Sequence, residues 1–405
     1  MLRSKKNIQM RIKNHKKLST FAPEFNAPDI FRKENYKMSK VQIFKKIFSV
    51  FLLVASFYVS FAQEEATKKE KFNAGEMIMH HVQDAHSWHI MGHISVPLPV
   101  ILYSKKGGLE LFSSAVFMDD AHEPNKIYHS EKSGYDYKLI HEHLKIVNAS
   151  GTEDEAAMKS AGIIDFSITK NVFALLFGAG LMCWIFLSVA KSYKRREGKA
   201  PKGLQSLIEP LIIFVRDDVA KTSIGPKYEK FMPFLLTVFF FIWINNLLGL
   251  VPFIPGGANL TGSISVTLVL AGLTFIITII NGNGHYWRHI FAMPGVPIGV
   301  LAILTPIEIL GVFLRPFVLM VRLFANITAG HIIALAFLSL IFIFGEMSAG
   351  AGFGVSILSL AFGVFMMVME LLVAFLQAYV FTLLSAMYFG SAVEEGHHAE
   401  EAHAH

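Results

Sequence analysis

Long uncharged runs of apolar residues crowd the C-terminal part of the chain, whereas the first 165 residues are mostly polar. A helix needs about 20 apolar residues to cross the roughly 30 Å hydrocarbon core of a bilayer. By this criterion the sequence predicts five membrane spans, at about 171–189, 231–251, 266–280, 298–344 and 353–389. The fold class predicted for residues 166–395 is therefore an all-α integral membrane domain.

The last two runs are too long for upright crossings. The run 353–389 has no proline and a single charge, Glu370, and the run 298–344 is interrupted by Pro306 and Pro316. Neither contains a polar turn that could divide it into two spans. A straight helix over 353–389 is about 55 Å long and fits the bilayer only when it is tilted by around 55–60°. We expect a hairpin of two strongly tilted helices, joined by the glycine-rich segment GEMSAGAG.

The N-terminal 62 residues indicate export. From Met38 onward, basic residues, an apolar run and the small residues Ser60 and Ala62 follow one another, which is the layout of a secretory signal. We expect cleavage after Ala62, and an uncleaved membrane anchor is the alternative. The basic loop KSYKRREGKAPK after the first span is cytoplasmic by the positive-inside rule, so the segment before that span lies outside and the C-terminus inside.

Three further segments complete the predicted organisation. Residues 63–165 are a small exported α+β domain, in which two strands flank Lys105–Gly108 and YDYKLIHEHLKIV is a further strand or helix. Residues 204–224 are amphipathic and lie at the cytoplasmic surface, and residues 396–405 are a disordered, His/Glu-rich tail. We expect surface or structural roles rather than a metal site for the clustered histidines His80, His81, His86, His89 and His93.

Composition narrows the function classes. Of the 405 residues, 53% are hydrophobic and 17% are charged, and the mean hydropathy is +0.46, which excludes a soluble enzyme and a disordered chain. The one cysteine, Cys183, excludes a disulfide framework. The net charge of +6 comes from basic loops beside apolar runs, and no basic, aromatic-rich face indicates nucleic acid.

Charges inside the last two spans indicate function. A charge at the bilayer centre costs about 2.5–3.5 kcal/mol on insertion scales, so such residues usually line ion paths or face protein. Arg322 is the clearest indication of function, because a guanidinium group keeps its proton and therefore cannot avoid this cost by becoming neutral. Glu308, Arg315 and Arg322 are seven residues apart and share one stripe of a helix, with Asn326 near it. We expect this stripe to face a carboxylate on another chain; for Arg315, snorkelling to the cytoplasmic interface is the alternative.

A second set of polar residues faces the other way. His331 is nine residues after Arg322, which places it on the opposite side of the helix. Glu370 and Gln377 are seven apart and share a face of the next helix. We expect His331 to face Glu370 across the hairpin, while Gln377 taken alone is more typical of a residue that joins two helices than of a functional site.

Several segments of the sequence resemble those of a known family. The segments RPFVLMVRLFANITAGHII and MELLVAFLQAYVFTLLSAMYFGSAVEE resemble subunit a of the F-type ATP synthase, the stator that passes ions to the rotating c-ring. The segments NNLLGLVPF, SVTLVLAGL and IEPLIIFVRDDVAK follow the same pattern. The resemblance is dense over residues 165–395 and weak over 75–90.

The resemblance implies a role for each intramembrane polar residue. Arg322 matches the arginine that meets the c-subunit carboxylate and separates two half-channels, with Asn326 one turn on and Gln377 packed nearby. His331 and Glu370 match two positions of the uptake half-channel, in the order opposite to that of many bacterial members. The remaining matches are Glu308 and Arg315 in the release half-channel and Asn246 in an outward-going span, where Gly249 replaces a frequent acidic residue.

The implied function is a proton-translocating, non-catalytic subunit of the bacterial inner membrane. Its partners are the c-ring, the peripheral-stalk b subunits, other ATP synthase subunits and the lipid bilayer, and neither cofactor nor metal is expected. A secondary transporter or an antiporter-like respiratory subunit is the first alternative, although such folds usually repeat their broken helices and no second copy of the Arg322 block exists. A membrane scaffold is the second alternative, and it gives no reason for Arg322, His331 and Glu370.

Overall fold

The structure, a computed structural model, describes residues 74–394 except for 76–77, 79–82, 92–93, 120–124, 149, 252–255 and 294–295. The predicted signal peptide, the histidines His80, His81 and His93 and the tail 396–405 lie outside the described residues.

Residues 87–165 fold mainly as antiparallel strands. Strands β1 (Ser87–Met91) and β2 (Ile94–Pro97) form a two-stranded sheet. The strands β3 (Pro99–Ser104), β4 (Gly108–Ser113) and β8 (Ile164–Asp165) form a sheet in the order β4–β3–β8. The strands β5 (Tyr128–His129), β6 (Asp136–Ile140) and β7 (His143–Val147) form a third sheet. The hairpin β3–β4 turns at the predicted place, where Gly108 has φ +67°.

The segment YDYKLIHEHLKIV is a hairpin, which settles the choice between strand and helix that the sequence leaves open. Its strands β6 and β7 pair from Asp136–Val147 to Ile140–His143, with a two-residue turn at His141–Glu142. Both turn residues have positive φ, 49° and 60°, as a type I′ turn requires. Alternate residues of β3, β6 and β7, among them Val100, Tyr137 and Ile146, fill one shared core.

A short α-helix lies between β7 and β8. Helix α1 (Glu155–Ala161) begins at Asp154, whose carboxylate accepts a hydrogen bond from the Ala157 amide, and it ends at Gly162 in a left-handed conformation, φ +56°. After β8 the backbone of Phe166 and Ile168 stays hydrogen-bonded to β3. The strand-rich part is therefore joined to the first long helix without a free linker.

Five described helices are long and apolar enough to span a membrane. They are α2 (Lys170–Arg195), α4 (Met232–Gly249), α5 (Ile264–Asn281), α7 (Ile298–Met347) and α8 (Ala349–Val393), with α3 (Leu204–Phe214) and the short α6 (Gly284–Phe291) between them. Each corresponds to one predicted apolar run: α4 is slightly shorter than its run, and the other four are slightly longer, α2 by six residues at its C-terminal end. After α3 the chain stays helical through Val215–Lys221 and Thr222–Ile224, and its buried side Ile208, Val215, Val219 packs into the main core.

The two longest helices form an antiparallel hairpin with almost no connection. Only Ser348, in an extended conformation, separates α7 from α8, and its hydroxyl accepts a hydrogen bond from the Ala351 amide. Pro306 and Pro316 both lie inside α7, which continues through them. One side of the hairpin packs on α4 and α5, and the other exposes a broad apolar surface that includes Ile307, Leu310, Leu314, Val318, Val321, Ile357, Phe365, Val368 and Leu372.

Candidate proton-pathway site

A cavity lies where α4, α7 and α8 meet the segment between α4 and α5. Its volume is about 80 Å³, which is room for several water molecules. Most of its wall is apolar, but it carries the polar side chains Asn245, Asn246, Asn259, Thr261, Asn326, His331 and Glu370. The cavity is therefore large enough to admit water beside the titratable side chains of His331 and Glu370.

His331 and Glu370 meet across the hairpin. The Nδ1 atom of His331 on α7 lies 3.3 Å from Oε1 of Glu370 on α8, and both side chains are largely buried. Gly330 makes room for this contact, because a Cβ atom there would lie 3.2 Å from the same carboxylate oxygen. The contact therefore brings one imidazole and one carboxylate together in the wall of the cavity.

Asn246 is the centre of a buried hydrogen-bond chain. Its Nδ2 atom donates to the Ala374 carbonyl, at 3.2 Å, and to Oε1 of Gln377, at 3.1 Å. Its Oδ1 atom accepts from the Thr261 hydroxyl at 2.5 Å. The chain ties α4 to α8 and to the short helical turn Leu260–Gly262, and Asn246, Gln377 and Thr261 are all buried.

Arg322 and Asn326 lie on the other side of α7, where both side chains are exposed. Arg322 is at the midpoint of this helix, among the exposed apolar residues Leu314, Val318 and Val321. No hydrogen bond or ion pair joins Arg322 to another residue within the described ranges. Asn326 also lines the cavity, so its side chain lies between the chamber and the surface that carries Arg322.

Arg315 departs from the single stripe that helical phase predicts. Its guanidinium carbon lies 5.8 Å above the ring of Tyr388 on α8, and the side chain is half-buried, as is Glu308. Burial raises the pKa of Tyr286 on α6, which the nearby Arg315 charge opposes and the Glu308 charge reinforces. Arg315 and Glu308 therefore belong to a polar group with Tyr286 and Tyr388 rather than to the exposed side of Arg322.

Several site residues are absent from the sequence prediction. They are Asn245, Asn259, Thr261 and Tyr388. Their only indication in the sequence is that they are polar or amphipathic residues in or beside apolar segments. The segment ANLTGS carries no charge, and nothing in it indicates that Thr261 reaches Asn246. Asn245 packs closely on α2, because a Cβ atom at Gly178 would overlap its amide.

Metal ligands are not assembled in the described part of the chain. Within it, no group of three His, Cys, Asp or Glu side chains has a metal-binding arrangement. His86 is buried, with its Nε2 atom 3.6 Å from Oδ2 of Asp165. Burial alone would raise the pKa of Asp165, but the nearby His86 imidazole and the hydrogen bond from the Ser167 amide outweigh it and hold this pKa below its usual value.

Comparison with known proteins divides the chain into the same two parts. Residues 172–390, more than half of the chain, match the family of ATP synthase A chains. Residues 77–166 match a family described only as a domain of unknown function.

Similar whole proteins come from several bacteria. A protein of Chloroherpeton thalassium named ATP synthase subunit a is 44% identical over 250 residues, which are 60% of this chain and 72% of that protein. One of Chlorobium phaeobacteroides with the same name is 40% identical over 306 residues, 72% of this chain and 87% of the relative. One of Myxococcus xanthus is 41% identical over 255 residues, covering 60% and 78%.

Proposed function

Since the chain belongs to the family of ATP synthase subunit a, we propose that it is the proton-translocating stator of the membrane sector, in which Arg322 meets the carboxylate of the rotating c-ring. The observation that supports this most strongly is an exposed arginine at the midpoint of α7 that no described residue neutralises. A permanent cation in this position needs a counter-charge from outside the chain.

Protons reach the ring through the cavity. Water and the side chains of Asn246, His331 and Glu370 form the uptake half-channel, which is open toward the side to which residues 63–165 are exported. The contact between His331 and Glu370 supports this role, since a pair of titratable groups passes a proton without exposing a lone charge to the apolar wall. Asn326 is the last polar side chain between this chamber and the ring.

The protonated ring carboxylate then leaves the stator. A neutral carboxyl group enters lipid at far lower cost than an ionised one. After nearly a full turn it reaches the release half-channel at Glu308 and Arg315, where it loses the proton. Arg322 favours the ionised form by its opposite charge, and it blocks direct proton flow between the two half-channels. The membrane potential supplies about 2.3 kcal/mol per charge per 100 mV and biases the rotation.

The proposed function implies a membrane location, an orientation of the chain and a set of partner subunits. The protein is a multi-pass membrane protein that we place in the bacterial inner membrane, with residues 63–165 outside and the C-terminus in the cytoplasm. The broad apolar surface of the α7–α8 hairpin faces the ring, and the peripheral-stalk b subunits and other ATP synthase subunits are further partners. The chain itself makes no ATP. The secondary-transporter alternative is set aside, because the family match is to an ATP synthase subunit.

Photo-crosslinking in the intact complex tests this proposal. Val318→Cys, on the exposed side of α7, is made in a Cys183→Ser background and labelled with benzophenone maleimide. Illumination is expected to yield an adduct with the c-subunit, identified by mass spectrometry. The unaltered chain is the matched control: its native Cys183 is exposed on α2, away from the hairpin, and is expected to give no ring adduct. Equal ring adducts from the variant and the control, or none from the Val318→Cys variant, would contradict the proposal.

A further inference from the structure

The segment 256–262 between α4 and α5 connects two helices and yet lies inside the protein. Apart from the turn Leu260–Gly262 it has no regular structure, and its residues 258–261 are at most 7% exposed. Connecting segments usually run over the surface, where water satisfies their backbone. This segment forms part of the cavity wall, so the residues that cover it help to hold that wall in place.

One side of the segment packs on the end of α4. The Gly257 amide donates a hydrogen bond to the Leu248 carbonyl at 3.2 Å. A Cβ atom at Gly249 would lie 3.2 Å from the Ala258 oxygen, which is tighter than an ordinary van der Waals contact. The backbones of α4 and of the segment are therefore closely packed on this side.

The strand-rich part contacts the same segment through Trp88. This residue of β1 is 3% exposed and belongs to one buried cluster with Ala174 of α2 and Ala258. Its ring meets that of Phe173 edge to face, with the centroids 5.4 Å apart. Since Ala258 also lines the cavity, the strand-rich part shares a small core with the cavity wall.

The chain just before β1 is joined to the start of α2. The Lys170 amide donates to the Ala85 carbonyl, and the Asn171 amide donates to the Asp84 carboxylate, both at 2.9 Å. Amides in the first turn of a helix have no acceptor within the helix, and a carboxylate beside them is favoured by the helix dipole. These bonds hold Trp88 next to Phe173 and Ala174.

We propose that Trp88 is a positioning residue of the uptake half-channel, through which the strand-rich part holds the segment 256–262 in the cavity wall. This inference rests on the proposed function, since it takes the cavity as the proton path. It gives the part of the chain that matches a domain of unknown function a role in that path.

The effect of Trp88 reaches the polar wall through the backbone of the segment. Asn259 and Thr261 follow Ala258 directly and line the cavity, and the Thr261 hydroxyl donates a hydrogen bond to Asn246 of α4. Without the indole, the cluster loses its largest side chain, so the segment opens more often and this hydrogen bond is made less often.

Substitutions at position 88 in the intact complex test this role. Trp88→Ala removes the ring, whereas Trp88→Phe keeps an aromatic ring beside Phe173. Tyr103→Ala is the matched control, because Tyr103 is an aromatic residue of β3 that is 43% exposed. For each variant, hydrogen exchange is measured in residues 256–263 and 136–147, together with ATP-driven acidification of inverted vesicles. Co-purification with the ring and the catalytic sector checks assembly.

Trp88→Ala is expected to speed exchange in 256–263 about threefold to tenfold and to lower pumping by a similar factor. The hairpin of β6 and β7, residues 136–147, should keep its protection, which separates local loosening of the cavity wall from unfolding of the strand-rich part. Trp88→Phe should restore most of the protection and of the pumping, and Tyr103→Ala should resemble the unaltered protein.

Four results would overturn the inference: unchanged exchange in 256–263 of Trp88→Ala, an equal rise in 136–147, faster exchange with undiminished pumping, or a Trp88→Phe complex as impaired as Trp88→Ala. If Trp88→Ala does not assemble, Trp88→Leu replaces it, and equal values for Trp88→Leu and Trp88→Phe would overturn the inference. Arg322→Ala in the same preparation separates the two proposals. Retained pumping there removes the proposed function, whereas hydrogen exchange in 256–263 reports on the contact of Trp88 whether or not protons are pumped.

Discussion

His331 and Glu370 are a titratable pair in the wall of the cavity, and their contact is part of the proposed uptake path. The Nδ1 atom of His331 lies 3.3 Å from Oε1 of Glu370, so the two side chains are in direct contact. The order of the two residues along the chain has no chemical importance as long as one imidazole and one carboxylate face each other.

Exchanging the two residues is therefore expected to lower ATP-driven proton pumping less than replacing either residue alone. His331→Glu puts two carboxylates together and Glu370→His puts two imidazoles together, and each should lower ATP-driven proton pumping about tenfold or more. The double exchange restores a mixed pair, with a coupling of about 1–3 kcal/mol. Pumping by inverted vesicles measures all three variants. If the two single effects simply add in the double variant, the residues do not act as a pair.

Helical phase alone was sufficient to predict which side of α7 carries His331 and which carries Arg322, because both lie in one uninterrupted helix. It failed for Arg315, because the ring of Tyr388 lies beside that side chain only after α8 has packed on α7. It was silent on Thr261, since the turn 260–262 has no periodicity to follow. Contacts made by connecting segments depend on the tertiary fold and are not encoded in spacing.

At the scale of elements, the contact between the end of α8 and the helical turn 222–224 is unusually close. A Cβ atom at Gly390 would overlap the backbone oxygen of Ser223, and a backbone atom yields less easily than the end of a flexible side chain. This crossing holds the amphipathic segment after α3 against the main core.

Gly390→Ala is accordingly expected to destabilise the protein by about 1–3 kcal/mol, as overpacking does. Gly354→Ala, on the same helix but facing open space, is the matched control and should be neutral or slightly stabilising. Thermal unfolding of the detergent-solubilised protein, with limited proteolysis of residues 204–224, measures the difference. An unchanged unfolding temperature in Gly390→Ala would show that the crossing is looser than described.

Asp165 gives the strand-rich part a stability that depends on pH. Its pKa is lowered in the folded state by the nearby His86 imidazole and by the hydrogen bond from the Ser167 amide, which together outweigh the effect of burial. A lowered pKa means that the stabilisation is present above the unfolded-state value, about 3.9, and is lost as the pH falls through the folded-state value.

Asp165→Asn should therefore reduce the protection of residues 164–168 against hydrogen exchange at neutral pH. The difference between this variant and the unaltered protein is expected to stay constant above about pH 5 and to close as the pH falls below about 3.5. Exchange rates corrected for intrinsic pH dependence measure it. A difference that persists at the lowest pH would mean that Asp165 acts through packing and not through its charge.

The sequence predicts some elements well and others not at all. The long apolar helices lie where the apolar runs predict them, since a helix in lipid must satisfy its own backbone and needs a minimum length. The hairpin of β6 and β7 could not be assigned, because its turn is formed by His141 and Glu142 with positive φ. Asparagine and glycine are the usual residues there, and their absence removes the signal.

For the molecule as a whole, the α7–α8 hairpin divides the chain into a packed side and an exposed side. The packed side carries the cavity, His331 and Glu370, and the exposed side carries Arg322 within a broad apolar surface. This asymmetry is what a stator needs if a rotor slides past it. The strand-rich part matches a separate family, which is described only as a domain of unknown function.

The central claim is that Arg322 couples proton flow to the ring, and its removal tests this most directly. Complexes with Arg322→Ala are reconstituted into vesicles without sodium, and acidification driven by ATP is followed with a fluorescent pH probe. The account predicts normal membrane insertion and co-purification with the ring and the catalytic sector, but no acidification above that of vesicles treated with an uncoupler. Acidification at an undiminished rate by the fully assembled variant would contradict it.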